Sequence, residues 1–169
     1  MTATRDRSGP VVDGRPDEAA ALSGLALRSK GYWGYDAAFL DACRTELTLT
    51  PHQAAAARVV RSADGTVRGF HLLGPDPDGD PGRGELLMLF VDPTDIGSGV
   101  GRALLEDAVR YAARRGWSAL RVESDPGAEG FYVAHGAQRV GTVPSGSVPG
   151  RELPLLELPV RTRGPDLRT

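Results

Sequence analysis

The longest uninterrupted apolar run in the chain is Leu86-Leu87-Met88-Leu89-Phe90-Val91. Without polar alternation, and bounded by Gly84-Glu85 and Asp92-Pro93, it predicts a central strand over 85–91, apolar on both faces and so covered on both. The period then changes. Leu104, Leu105, Ala108, Tyr111 and Ala112 recur at helical spacing within 99–115, while Arg102, Glu106, Arg110 and Arg114 form the opposite, solvated face. Gly116 closes that helix, and 118–123 reads as another strand. A short helix over 128–135 ends at Gly136. Strands near 138–143 and 152–160 flank a loop at 144–150, and Pro154 and Pro159 suggest that the last strand is an edge strand or is interrupted.

Upstream the pattern is weaker. Residues 1–10 and the tail from 161 are polar and are expected to be loose. A short strand near Val11-Val12 precedes a helix from Asp17 to about Lys30, with Ala20, Leu22, Leu25, Ala26 and Leu27 apolar. Asp36 is a candidate N-cap for a second helix reaching about Glu46, with Phe39, Leu40 and Cys43 on one side. A hairpin follows, 57–61 and 67–73, turning at Ala63-Asp64-Gly65-Thr66, and the Asp-, Pro- and Gly-rich stretch 74–84 is a surface loop. Helices, a meander and then a strand–helix–strand unit that must be parallel predict an α/β (α+β) fold. The sheet is mixed, twisted and mostly antiparallel, of six to seven strands with helices on both faces, and 1–169 is read as a single domain.

Composition narrows the function. A net charge of −2 and a pI near 5.9 leave no basic footprint for nucleic acid or an anionic membrane. Cys43 is the sole cysteine, so no internal disulfide can form, and no apolar run approaches the length of a membrane span. A cytoplasmic protein is expected. His52, His71 and His135 are scattered and have no cysteine partners, so no metal site is expected.

The segment Val91-Asp92-Pro93-Thr94-Asp95-Ile96-Gly97-Ser98-Gly99-Val100-Gly101-Arg102 joins the central strand to the amphipathic helix. Glycines at a helix start let backbone N–H groups converge on phosphate, where the helix end adds partial positive charge. A P-loop would need Lys-Ser/Thr after its last glycine, and Gly101 is followed by Arg102-Ala103. The dinucleotide fingerprint needs a third Gly or Ala, where Arg102 or Leu104 stands.

VDPxxxGxGVGRALL does resemble the acetyl-CoA-binding motif of the GNAT superfamily of N-acetyltransferases, Arg/Gln-x-x-Gly-x-Gly/Ala. Gly99 and Gly101 hold its glycine places and Ile96 its Arg/Gln place. Asp125-x-x-Ala128-x-x-Phe131-Tyr132-x-x-x-Gly136-Ala137 is similar to a second segment of the family, Asn-x-x-Ala-x-x-Phe-Tyr-x-x-x-Gly-Phe. The resemblance covers 85–143 and implies that the central strand and the next splay apart to take the pantetheine arm of acetyl-CoA. It implies cofactor contacts from Leu89, Phe90, Val91, Ile96, Gly97, Ser98, Gly99, Val100, Gly101, Arg102 and Asp125. A main-chain N–H near Leu89 to Val91 would meet the oxyanion.

Acetyl transfer to an amine needs a base, because a lysine-like amine titrates at about 10.4, and an acid for the departing thiolate. The resemblance places the base of some members at Glu85 and a proton-donating tyrosine at Tyr132; His71, in the neighbouring strand, is the alternative base. The resemblance implies an acceptor site walled by the first two helices and the last hairpin, which points to Tyr32, Trp33 and Tyr35 and to the 144–151 loop, with His71 as a further acceptor contact; aromatics with a nearby acid suit an amine. The expected function is transfer to a primary amine of a small molecule or peptide, with a homodimer left open. The other reading is a non-catalytic acyl-CoA-binding module.

Overall fold

The computed structural model describes residues 9–161; the remainder of the expected loose tails, 1–8 and 162–169, lies outside the described residues. The chain opens with β1 (Val11–Asp13) and a single 3-10 turn at Pro16–Glu18, so the first helix, α1 (Ala19–Gly31), starts later than its acidic lead-in suggested. Asp36 accepts from the Phe39 amide and starts α2 (Ala37–Cys43). The sequence reading had no element over 48–56, yet α3 (Pro51–Ala56) lies there. Its signature was present. Thr50 and Gln53 form a reciprocal capping box around Pro51 at the first helical position.

The remaining elements are β2 (Arg58–Arg61), β3 (Val67–Pro75), β4 (Arg83–Val91), α4 (Val100–Arg114), β5 (Ala119–Glu123), α5 (Glu129–Ala134), β6 (Gln138–Pro144) and β7 (Glu152–Pro159). β3 and β4 run further into the loop expected at 74–84 than composition suggested, because they pair with each other as far as Pro75 and Gly84. The strands form one seven-stranded sheet in the order β1-β2-β3-β4-β5-β7-β6, antiparallel throughout except for the β4–β5 pair. Helices cover both faces. Leu22, Leu25 and Ala26 of α1 bury against Val59, Phe70 and Leu72, while Leu105, Ala108 and Ala112 of α4 bury against Leu86, Leu120 and Val122. Truncating one of these fully buried leucines to Ala would cost about 2–5 kcal/mol.

Two expectations are corrected. β7 is not an edge strand; it lies between β5 and β6. Its prolines sit where neighbours have stopped. The Pro154 carbonyl accepts from Ser124 beyond the end of β5, so the proline nitrogen faces a place with no strand. Val160 donates back to Ser118, which turns the Pro159 nitrogen to the opposite side, where β6 pairing has ended at Glu157. Nor is β4 covered on both faces. Leu72 pairs with Met88 and Leu73 with Leu86, which leaves Leu87 as the extra residue of a bulge, 47% exposed. Tyr111, expected in the buried stripe of α4, is half-buried between the guanidinium groups of Arg58 and Arg115.

Candidate active site

β4 and β5 pair at only three rungs, Arg83↔Ala119, Gly84↔Leu120 and Glu85↔Arg121. Beyond Glu85 the in-plane backbone groups on the β5 side of β4 face a gap instead of a strand. A groove of about 440 Å³ occupies that gap. β4 from Leu86 to Val91 forms one wall, and the end of β5 with Phe131 and Tyr132 of α5 forms the other. Ser29 and Lys30 of α1, Trp33 just beyond it and residues of the 96–102 loop complete the lining.

The loop end suits an anion. Gly97 and Gly99 have φ of +83° and +96°, a left-handed backbone that side-chain-bearing residues rarely adopt. Gly99 is the N-cap of α4 and no side chain caps that helix. The first helical bond runs from Ala103 N–H to the Gly99 carbonyl, so the amides of Val100, Gly101 and Arg102 have no partner within the helix. Asp92 and Asp95, just upstream, would repel phosphate, but Arg28 holds one at 3.0 Å and Arg68 the other at 2.7 Å. A Cβ on Gly101 would lie 3.5 Å from Val91 and 3.6 Å from Phe131, ordinary contact distances, so packing within the protein does not require a glycine there.

Of the expected cofactor contacts, Leu89, Phe90, Val91, Ile96, Gly97, Gly99, Gly101, Arg102 and Asp125 line the groove. Ser98 and Val100 do not. The Ser98 hydroxyl donates to the Asp95 carbonyl, and the Val100 side chain is fully buried beside Val60 and Leu104. Tyr132 lines the groove and is 6% exposed; burial pushes its phenol well above the ordinary tyrosine value, so it stays protonated at neutral pH. Glu85 stands on the last β4–β5 rung, beside the groove rather than in its lining. Burial, then the charge of Glu123, which does line the groove, raises its carboxyl above the usual range, against the lowering effect of Arg121.

The expected acceptor contacts separate. Trp33 lines the groove and lies over Gly127, where a Cβ would come within 2.6 Å of the indole. Tyr35 lies behind it; its hydroxyl donates to Asp125 at 2.9 Å. Tyr32 is 51% exposed, edge-on to Trp33 and outside the lining. His71 is not in the groove at all. It is 1% exposed beneath α4, its Nε2 donates to Asp107 at 2.8 Å, and its buried Nδ1 has no partner. A base there could not reach a substrate in the gap.

Sequence reasoning missed Asp107, Lys30 and Arg151, and noticed Glu123 only as an acid placed where a dinucleotide's ribose might fall. Asp107 falls within the stripe that Leu104 and Ala108 define, the one signal that a charged residue was turned inward. Lys30 is the only lysine of the chain, and its Nζ lies 2.8 Å from Asp125. Arg151 came into view only through its loop, and nothing local marks it. Among the described residues no group of three or more His, Cys, Asp or Glu could hold a metal ion, and no helix is long and apolar enough to cross a membrane.

A mixed sheet that opens at its one parallel pair, with an uncapped helix start at the gap, is the arrangement that the resemblance to acetyl-CoA-dependent acyltransferases implies. Residues 26–137 match the acetyltransferase (GNAT) family, and the chain belongs to that family, whose members use acetyl-CoA. It is 39% identical over 84 residues to a mycothiol acetyltransferase of Propionibacterium freudenreichii subsp. shermanii. That stretch is 49% of this chain but 26% of the relative, so the chain spans about a quarter of the curated relative's length. Two solved structures share the fold. A GCN5-related N-acetyltransferase from Rhodopseudomonas palustris matches with a TM-score of 0.71 at 19% identity, over 90% of this chain and 97% of its own. The PaiA N-acetyltransferase of Thermoplasma acidophilum, solved with coenzyme A, matches with a TM-score of 0.67 at 18% identity, over 88% of this chain and 97% of its own.

Proposed function

We propose that the protein moves the acetyl group of acetyl-CoA to the primary amine of a small molecule or peptide, by direct attack and without an acetyl-enzyme. The observation that carries this reading is that one groove joins the uncapped N-terminus of α4 to Tyr132 through the β4–β5 gap. The residues fit the cofactor: open amides and positive-φ glycines at one end, an apolar slot between strands for a thin chain. When bound, acetyl-CoA supplies a thioester carbonyl with a thiolate leaving group. Glu85 takes the proton of the incoming amine, directly or through one water; burial beside Glu123 raises its affinity for protons above that of an ordinary carboxylate, which strengthens it as a base. Tyr132 gives its phenolic proton to the departing sulfur as the C–N bond forms and the C–S bond breaks. Backbone N–H groups on the free edge of β4 stand where carbonyl negative charge grows. Cys43 is buried and bonded toward Ser147, away from the groove, which favours direct transfer.

On this reading 1–169 is one acetyltransferase domain acting in the cytoplasm, as a monomer or a homodimer. Trp33 forms the acceptor-side platform, and Tyr35 acts through Asp125, to which its hydroxyl donates. The test is free-thiol release from acetyl-CoA across a panel of amines, with Tyr132→Phe as the control. Thiol release that depends on an added amine and collapses in the variant is expected. Acetyl-CoA binding with no release for any amine would instead make the chain a binding module.

A further inference from the structure

We propose, on the acetyl-transfer reading above, that the acceptor carries a carboxylate as well as its amine, and that Lys30 and Arg151 hold that carboxylate beside the stacked rings of Tyr35 and Phe39.

Asp125 ends the β5 wall and faces two cations: Lys30 Nζ at 2.8 Å and Arg151 Nη2 at 3.5 Å, both on the same oxygen. Tyr35 donates its hydroxyl to Asp125 and accepts from Arg151. The side chains of Lys30, Asp125 and Arg151 are only 14%, 10% and 18% exposed. Among the described residues neither cation has a second acid within ion-pair distance. One positive charge is therefore left over in a place largely shielded from water, which is costly unless an anion offsets it.

The donors needed for such an anion are free. Among the described residues Arg151 commits only Nη2 to the protein, leaving Nε–H and Nη1–H, which lie on different edges of the guanidinium, each as a single donor toward a carboxylate. The rings fix both cations in place. Tyr35 and Phe39 stack at 4.0 Å, with the Arg151 guanidinium 5.0 and 4.7 Å from their centres and Lys30 Nζ 5.6 and 6.0 Å from them. The cluster borders the reaction path, since Lys30 and Asp125 both line the groove.

Asp107, a buried acid of α4, shows what a closed cluster looks like. There Arg58 is held between two acids, Asp107 at 3.0 Å and Asp13 at 2.7 Å, and no positive charge is left over. At the groove, in contrast, acids and cations occupy neighbouring stations. Glu123, beside Glu85 on the amine side, lies two residues before Asp125, at most about 7 Å along the extended chain. An amine drawn to Glu85 and a carboxylate drawn to Lys30 and Arg151 fit a short amino acid.

The test uses matched pairs: amino acids and their carboxamides, and 4-aminobutanoate with its carboxamide. Binding to the intact protein is followed by the indole resonance of Trp33, with and without coenzyme A. The carboxylates should bind about tenfold tighter than the amides, and Arg151→Gln should erase that ratio while Arg151→Lys restores part of it. Lys30→Gln should reduce the ratio independently, which keeps the test valid if one variant does not fold. Equal binding of acids and amides, or a ratio unchanged in folded Arg151→Gln, would overturn the carboxylate site. Thiol release with the same panel judges the reaction separately. Tight carboxylate binding without thiol release for any amine would overturn acetyl transfer and leave the carboxylate site standing.

Discussion

The two sides of β4 are built to opposite ends. Toward β3 the ladder runs the length of the strand, from Gly69↔Val91 to Pro75↔Gly84, and the polar side chain it encloses, His71, is closed off by Asp107 and Arg58. Toward β5 the ladder ends after three rungs and the polar side chains that follow, Glu123, Asp125 and Tyr132, border a groove. Both sides hold a depressed Asp. For Asp107, burial would raise the carboxyl, but hydrogen bonds from His71 and Arg58 outweigh it. For Asp125, burial is outweighed by Lys30, the Gly127 amide and Tyr35. Similar chemistry thus serves stability on one side and a binding site on the other. What separates them is whether neighbouring strands leave room for a ligand.

That contrast makes changes on the β3 side affect stability and changes on the β5 side affect turnover. The largest effect is expected from Arg58→Met, which leaves Asp107 buried without its main cation and should cost about 3 kcal/mol in urea unfolding. The pH dependence has a definite sign. Because the folded carboxyl of Asp107 is depressed, its contribution is complete above the unfolded value of about 3.9 and fades as pH falls below it. Arg58→Met should flatten that acid limb; unchanged stability with lost turnover would erase the distinction between the two sides.

Tyr132→Phe comes next. It keeps the ring and removes the donor, so turnover should fall about 10²-fold, near 2.7 kcal/mol of barrier, with acetyl-CoA affinity by calorimetry little changed. If the variant turns over normally, Tyr132 is packing alone.

Glu85→Gln should lower kcat/KM at pH 7 by at least about tenfold and regain activity at high pH, where the amine loses its proton unaided. A base works deprotonated, and its raised pKa moves the rising limb of the wild-type profile up from the ordinary glutamate range. His71→Gln should leave that limb in place and register in unfolding instead; the reverse pattern would shift the base to His71.

The smallest of these effects belongs to Gly101→Ala. The added methyl meets Val91 and Phe131 only at ordinary contact distance, so the fold should hold. Acetyl-CoA affinity should still weaken about tenfold, or 1.4 kcal/mol, because the methyl fills space a phosphate would approach. Unchanged affinity in calorimetry would remove the 96–102 loop from the binding site.

Much of this was legible locally. The switch from the apolar run at 86–91 to helical period after Gly99 located β4, the glycine loop and α4, because strand and helix periods and helix-start glycines are properties of a few consecutive residues. The capping box at Thr50 and Gln53 was equally local and went unread only for want of an apolar period behind it. The two motifs drew attention to Gly99, Gly101 and Tyr132, and all three line one groove or its edge.

Long-range pairing lay beyond reach. The prolines of β7 signalled an edge, but a proline needs only a missing neighbour at its own nitrogen, and which neighbour ends where is settled by strands far apart in sequence. His71 looked like a candidate base because its own strand says nothing about the helix above it, and Asp107, its partner, lies 36 positions away. Tyr35 and Asp125 stood out in the chain for other roles, and Lys30 and Arg151 did not; the four become one site only because the end of α1, the turn into α2, the end of β5 and the β6–β7 loop converge on one carboxylate. Backbone periodicity and caps act over one or two turns, so the chain by itself determined β4's apolar run, the glycine loop and the start of α4, while the outer ends of β3 and β4 were set by their pairing. Charge balance and access to solvent depend on residues brought together through space, so only the tertiary structure decided which of its buried acids faces a groove.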